Sequence, residues 1–384
     1  MEDLLNIEDL VVKFYTYEGT VEAIDGINLK LKRGETLGLV GETGCGKSVT
    51  SLSVLVLVPP PGKIESGRAL FKMGDQYHDL LSRDDSFLRK IRGEEISMIF
   101  QDPRSALNPI YTVETQIAEV FAQHRTKELS ERVIHGIEND LSKGGSLKSF
   151  IYKLERKIYR KISQNPNSLS VRILSKIPIV KRYRRRLKDE TRKEVIKVLK
   201  EMKIPDPERV ADMYPYELSG GMAQRVVIAM ALGCNPEILL ADEPTTNLDV
   251  TIQAQILHLI RELKVAFKSS VLYVTHDLGV VAELCDRVAV MYAGNICELA
   301  DVIKIYKNPL HPYTQGLLES IPMPEKKFTS IPGEVPGLIN PPAGCRFNPR
   351  CSKAIEICSR MKPLFSEVEK DHFVMCHLYA GSSK

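Results

Sequence analysis

Apolar residues fall along this chain in two rhythms. The segments ETLGLV at 35–40, ILLAD at 238–242, VLYVTH at 271–276 and RVAVMYAG at 287–294 are short and apolar at most positions. A strand with one wet face would alternate, so these runs predict strands covered on both faces, as in a largely parallel sheet. Other stretches carry apolar residues at helical spacing, among them VVIAMAL at 226–232 and RKEVIKVLKEMKI at 192–204. Strands of one kind alternating with helices of the other predict an α/β protein with helices packed on the sheet. From about residue 301 onward the chain is Pro-rich and reads as loop.

One helical pattern differs from the rest. Leu147, Phe150, Ile151, Leu154, Ile158 and Ile162 recur at helical spacing, with Lys153, Arg156, Lys157, Arg160 and Lys161 largely around the other side. That is a basic amphipathic helix. It can be a solvated helix packed on its own protein, a membrane-surface contact or a nucleic-acid contact, and no aromatic-interleaved binding motif accompanies the charges.

Charge sharpens this picture. Between Leu141 and Lys188 stand 15 Lys or Arg and one acid, Glu155, so that stretch carries +14. A net charge of +4 then leaves −10 for the remaining residues. An acidic protein with one basic insert does not predict whole-protein attraction to nucleic acid. The 384 residues suggest two or three domains, and 43% hydrophobic content excludes a mainly disordered chain. The acidic start MEDLLNIEDL shows no signal peptide, and the longest apolar run, Leu52–Val58, is far short of the ~20 residues of a membrane span. These features predict a soluble chain on the cytoplasmic side.

Candidate chemistry begins at Gly41-Glu-Thr-Gly-Cys-Gly-Lys-Ser48, which follows a predicted strand and precedes a predicted helix. This is G-x-x-x-x-G-K-[ST] in the context it requires. Glycines let backbone N–H groups turn inward around phosphate oxygens, Lys47 adds a point charge, and Ser48 offers a hydroxyl to Mg²⁺. The run Ile238–Glu243 ends a buried strand in two acids, with Asp242 placed for the metal and Glu243 for general base. Between them, Ser219 of LSGGMAQR is positioned to cap a helix.

The ordered set GETGCGKS, Gln101, LSGGMAQR, ILLADE, Asn247-Leu-Asp249 and His276 resembles the ATP-binding subunit of ABC transporters. The resemblance covers the chain apart from the basic insert. It implies a P-loop nucleotide-binding domain: a RecA-like core at 1–100 and 236–300, and a helical subdomain at 101–235 with the insert at about 137–188. A small cysteine-bearing extension at 301–384 completes the chain. It further implies that Gly41, Gly44, Cys45, Gly46, Lys47, Ser48 and Val49 bind ATP, with Ser48, Gln101 and Asp242 around Mg²⁺. Glu243 becomes the base, His276 the γ-phosphate contact, and Ser219, Gly220 and Gly221 complete a partner's site in a head-to-tail dimer. Phe14 is the expected adenine platform, with Tyr15 and Tyr17 close by.

Within that family, Gln101-Asp-Pro-Arg-Ser-Ala-Leu-Asn-Pro109 and His311-Pro-Tyr-Thr314 look like the oligopeptide/dipeptide import branch. The likeness implies a peripheral ATPase on the cytoplasmic face of the membrane. Its partners would be a second ATPase (a paralogue), two permease subunits and, indirectly, an extracellular substrate-binding protein. Oligosaccharide or nickel import lies within the same branch. A soluble ABC ATPase without a transport role is the alternative, against which the HPYT motif and the cysteine tail speak. Asn247 departs from the branch, where Ala is more frequent.

Cys345, Cys351, Cys358 and Cys376 occupy the last 40 residues, separated by five, six and seventeen positions. Four thiolates can bind Zn²⁺ or an iron–sulfur cluster, and the close C-x2–4-C pairs of zinc sites are missing. Buried or bridged cysteines remain open. The resemblance implies a [4Fe–4S] cluster acting as a structural clasp. His372 and His377 read as polar surface residues.

Overall fold

The computed structural model describes residues 2–143, 146–164, 181–246, 248–321 and 330–379; Asn247 and much of the basic insert lie outside them. Two sheets carry the chain. The first is antiparallel, in the order β2-β1-β4-β5, from β1 (Asp3–Thr16), β2 (Gly19–Lys32), β4 (Gly62–Met73) and β5 (Gln76–Asp79).

The second sheet has eight strands in the order β11-β12-β10-β9-β3-β8-β7-β6. Its centre is β3 (Thr36–Val40), β8 (Ser270–Thr275), β7 (Ile238–Asp242) and β6 (Ile96–Ile99), all parallel. On the other side β9 (Arg287–Tyr292) runs parallel to β3 and turns back into β10 (Asn295–Asp301). Every residue of β3, β7 and β8 is buried, which is why their sequences run apolar without alternation. Helices such as Gly220–Leu232 and Val250–Phe267 cover the sheet and share one apolar cluster with it.

The tail departs from the loop expected after residue 301. β11 (Phe365–Glu369) and β12 (His372–Met375) extend the same sheet, with β12 antiparallel to β10. His372 is also not the surface residue expected. It is 0% exposed, and its Nε2 stands 2.7 Å from Oε1 of Glu298 on β10. A buried carboxylate needs partners, and this one draws the strand inward.

In the basic insert the helix Ser146–Gln164 packs on Thr126–Lys143, with Ile158 and Ile162 turned inward as expected; the side chains of Leu147, Phe150 and Ile151 lie outside those described. Tyr159 and Ile162 join Val133 and Ile137, whereas Leu154, expected inside, is 49% exposed. Glu155 is buried instead and pairs with Arg186 Nε at 3.2 Å. Among the described residues no helix is long and apolar enough to cross a membrane.

Candidate functional site

The glycine loop leaves β3 at Gly41 and enters the helix Lys47–Val54. Glycine is demanded at both ends. A Cβ on Gly41 would stand 2.0 Å from the Met291 carbonyl oxygen, and one on Gly46, at φ 106°, would stand 2.6 Å from that of Ala23. Lys47 Nζ curls over the loop and donates to the carbonyls of Gly41 (2.8 Å) and Glu42 (3.0 Å). Its ammonium is thus held inside the ring of amides. Cys45 is buried, and burial pushes its thiol up, so it is an inert packing residue. Val49 lies one residue beyond Ser48 and packs against the second core.

Ser48 Oγ donates to Asp242 Oδ1 at 3.0 Å. Helix start and strand end therefore bring a hydroxyl and a carboxylate together, a hard-oxygen pair suited to Mg²⁺. Burial pushes the Asp242 carboxyl above the ordinary range.

Glu243 comes directly after, with φ 44°, a left-handed conformation that a non-glycine residue seldom takes. That turn lifts its carboxylate off the strand into a ring of partners. Gln101 Nε2 and Thr246 Oγ1 donate to Oε2 at 3.1 and 2.9 Å, and His276 Nδ1 meets Oε1 at 3.2 Å. Burial alone would raise its pKa. The hydrogen bonds from His276 and Thr246 outweigh that and hold it below the usual carboxylate value. The group is ionised at neutral pH and faces donors, so it can accept a proton from a water set beside it.

The predicted residues Lys47, Ser48, Gln101, Asp242, Glu243 and His276 thus gather at one end of the parallel strands. Thr246 belongs with them and was missed by sequence reasoning. Its only signal was position, three residues beyond Glu243 in Glu-Pro-Thr-Thr.

Ser219 caps the helix Gly220–Leu232 as expected, its Oγ accepting from Met222 N at 3.3 Å. A Cβ on Gly221 would lie 2.8 Å from Ile252, and one on Gly220 lies 3.6 Å from Leu248. The aromatic candidates separate by face. Phe14 is half buried, its ring so close to Gly62 that a Cβ there would stand 2.6 Å from it. Tyr15 Oη donates to Glu65 at 2.9 Å, and Tyr17 is 97% exposed.

Cys345 lies within electrostatic reach of Cys351, Cys358 and Cys376, and its backbone N–H donates to the Cys358 carbonyl at 2.8 Å. All four are free thiols, which removes the bridged alternative. Burial pushes Cys345 up to about 11, with Cys351 and Cys376 moved the same way. Among the described residues no three His, Cys, Asp or Glu side chains are drawn close enough to hold a metal ion. The donor set nonetheless has the chemistry of a thiolate-ligated group.

Comparison with known proteins agrees with this geometry. Residues 24–246 match the ABC transporter family, and residues 297–358 match the oligopeptide/dipeptide transporter C-terminal region. The dipeptide transport ATP-binding protein DppD of Bacillus subtilis is 42% identical over 98% of this chain and 95% of its own length. The oligopeptide transport ATP-binding protein OppD of the same organism is 41% identical over 97% and 87%. Among solved structures, the dimeric ATP-binding cassette MJ0796 bound to ADP and Pi shares the fold at 23% identity and TM-score 0.52, covering 78% of this chain and 98% of that one.

Proposed function

The chain belongs to the ABC transporter family, and on that premise we infer that it is the ATP-hydrolysing subunit of a peptide importer. The observation that carries the hydrolytic part is the Glu243 carboxylate, ionised and ringed by Gln101, Thr246 and His276 beside the Ser48–Asp242 pair. ATP lies with its phosphates in the amides of residues 41–48, where Lys47 exchanges its loop carbonyls for phosphate oxygens. Ser48 and Asp242, with Gln101, hold Mg²⁺, which supplies charge neutralisation at the phosphates. Glu243 takes the proton of the attacking water, and His276 and Gln101 fix the angle of its carboxylate. Phe14 is the adenine platform, with the exposed Tyr17 the competing surface. Residues Ser219–Gly221 serve the site of a second ATPase subunit, a paralogue, in a head-to-tail pair.

The division into a core of 1–100 and 236–300, a helical subdomain of 101–235 and an extension of 301–384 accords with the same reading. Peptide as cargo rests on the likeness to DppD, OppD and the importer C-terminal region. The subunit then works on the cytoplasmic face, beneath two permease subunits served by an extracellular substrate-binding protein. Purification from its own membranes tests this. Two multi-span subunits should travel with the chain, and recovery of the chain without them under mild detergent overturns the importer reading.

For the tail we propose a [4Fe–4S] cluster on Cys345, Cys351, Cys358 and Cys376, supported by four free thiols, of which Cys345 feels the other three electrostatically. Anaerobically purified protein should be brown and carry about four irons per chain. Zinc without iron in elemental analysis rejects the cluster.

A further inference from the structure

The segment Cys345-Arg-Phe-Asn-Pro-Arg-Cys351 lies far from the phosphate loop in sequence, yet it is built against the back of that loop. Arg350 Nη1 and Nη2 donate to the two carboxylate oxygens of Glu42, at 2.7 and 3.1 Å. Glu42 is the second residue of the phosphate loop. Its backbone N–H is fixed from another side, donating to Tyr313 Oη at 3.0 Å. Arg350 is itself anchored, donating from Nη1 to Tyr292 Oη and from Nε to the Pro332 carbonyl.

The other arginine reaches the far end of the loop. Arg346 donates to the Ala293 carbonyl at 2.6 Å and to Glu22 Oε2 at 2.7 Å. Gly294, next to Ala293, donates to the Cys45 carbonyl at 2.9 Å. Phe347, between the two arginines, is buried against Tyr292 and Tyr313. The side chains of Arg346 and Arg350 are 6% and 5% exposed, so the arginine side of each contact is withdrawn from water, while Glu22 and Glu42 stay 32% and 27% exposed.

We propose that the Cys345–Cys351 segment is a buttress of the ATP site, in which Arg350 and Arg346 act as positioning residues that set the shape of the phosphate loop. The physical reason is direct. A loop that binds phosphate through its own amides loses affinity for every conformation it must abandon, and pinning Glu42 by both side chain and backbone removes that freedom before ATP arrives. The cysteine tail and the nucleotide site are therefore one mechanical unit, whichever way the four thiols are engaged. This rests on the reading of residues 41–48 as the ATP site.

ATP titration of the full-length chain tests it. Arg350→Ala and Glu42→Gln should each weaken ATP binding roughly tenfold, as expected for loss of a charged hydrogen bond. The double variant should be no weaker than the weaker single one, because both remove the same contact. Arg350→Lys should recover only part, since a point charge cannot span both oxygens. Wild-type affinity in Arg350→Ala, or losses that multiply in the double variant, overturns the proposal. Should Arg350→Ala fail to fold, Glu42→Gln removes the same ion pair from the loop's side, and wild-type affinity there overturns it equally. A wild-type chain that binds no ATP would instead overturn the ATPase reading.

Discussion

Gln101 and Glu243 stand 142 positions apart in sequence, and their side chains meet at 3.1 Å. The contact exists because β6 and β7 lie side by side and parallel, so that the segments leaving the two strands emerge at the same end of the sheet. An amide donor and a carboxylate acceptor thereby meet at one point on the rim of the site.

On the proposed reading that carboxylate is the catalytic base, and it can be removed without changing its shape. Glu243→Gln loses the base alone, so hydrolysis should fall at least ~10²-fold while ATP still binds. Steady-state turnover and equilibrium binding on the same preparation decide it, and near-normal turnover removes Glu243 from the role.

Thr246 gives a prediction in pH. Its hydroxyl donates to Glu243 Oε2 and helps hold that carboxyl below its ordinary value. A lowered pKa keeps the base ionised down to more acidic pH. Thr246→Val removes one donor, so the pKa rises and the acidic limb of the rate profile should move to higher pH. An unmoved limb in kcat/KM against pH would separate Thr246 from the base.

His311 makes stability depend on pH. It is fully buried, burial lowers its pKa to about 4, and its Nδ1 accepts from Tyr313 N to cap the helix Pro312–Glu319. The unfolded imidazole takes its proton near 6.5, so the unfolded state binds more protons between pH 6.5 and 4, and stability is lost as pH falls through that window. About 2 kcal/mol should disappear between pH 7 and 5. His311→Asn retains a cap that does not titrate, and denaturant melts of this variant should show a smaller loss over the same interval.

The insert can be loosened separately. Tyr159 is the largest buried side chain in the small cluster joining Ser146–Gln164 to Thr126–Lys143. Tyr159→Ala should cost about 3 kcal/mol at that contact. Trypsin should then cut the basic helix sooner, with ATP affinity unchanged. Equal cleavage rates would mean that Tyr159 does not hold the helix in place.

The features legible in sequence share one property: their geometry is local. The glycines of residues 41–48 bend their own backbone, Ser219 caps the helix that begins beside it, and the apolar runs of β3, β7 and β8 record burial on both faces. Even the separation of Asp242 from Glu243 arises from one residue ending a strand and the next leaving it. Leu154 misled because periodicity counts apolar residues, while the helix turned its buried Glu155 inward to meet Arg186. Arg350 and Glu42, 308 positions apart, and His372 and Glu298, 74 apart, left no local trace. A charged residue in a polar stretch looks the same whether it faces water or a buried partner. Only the pairing of β12 with β10 and the packing of the tail against the phosphate loop supplied those partners.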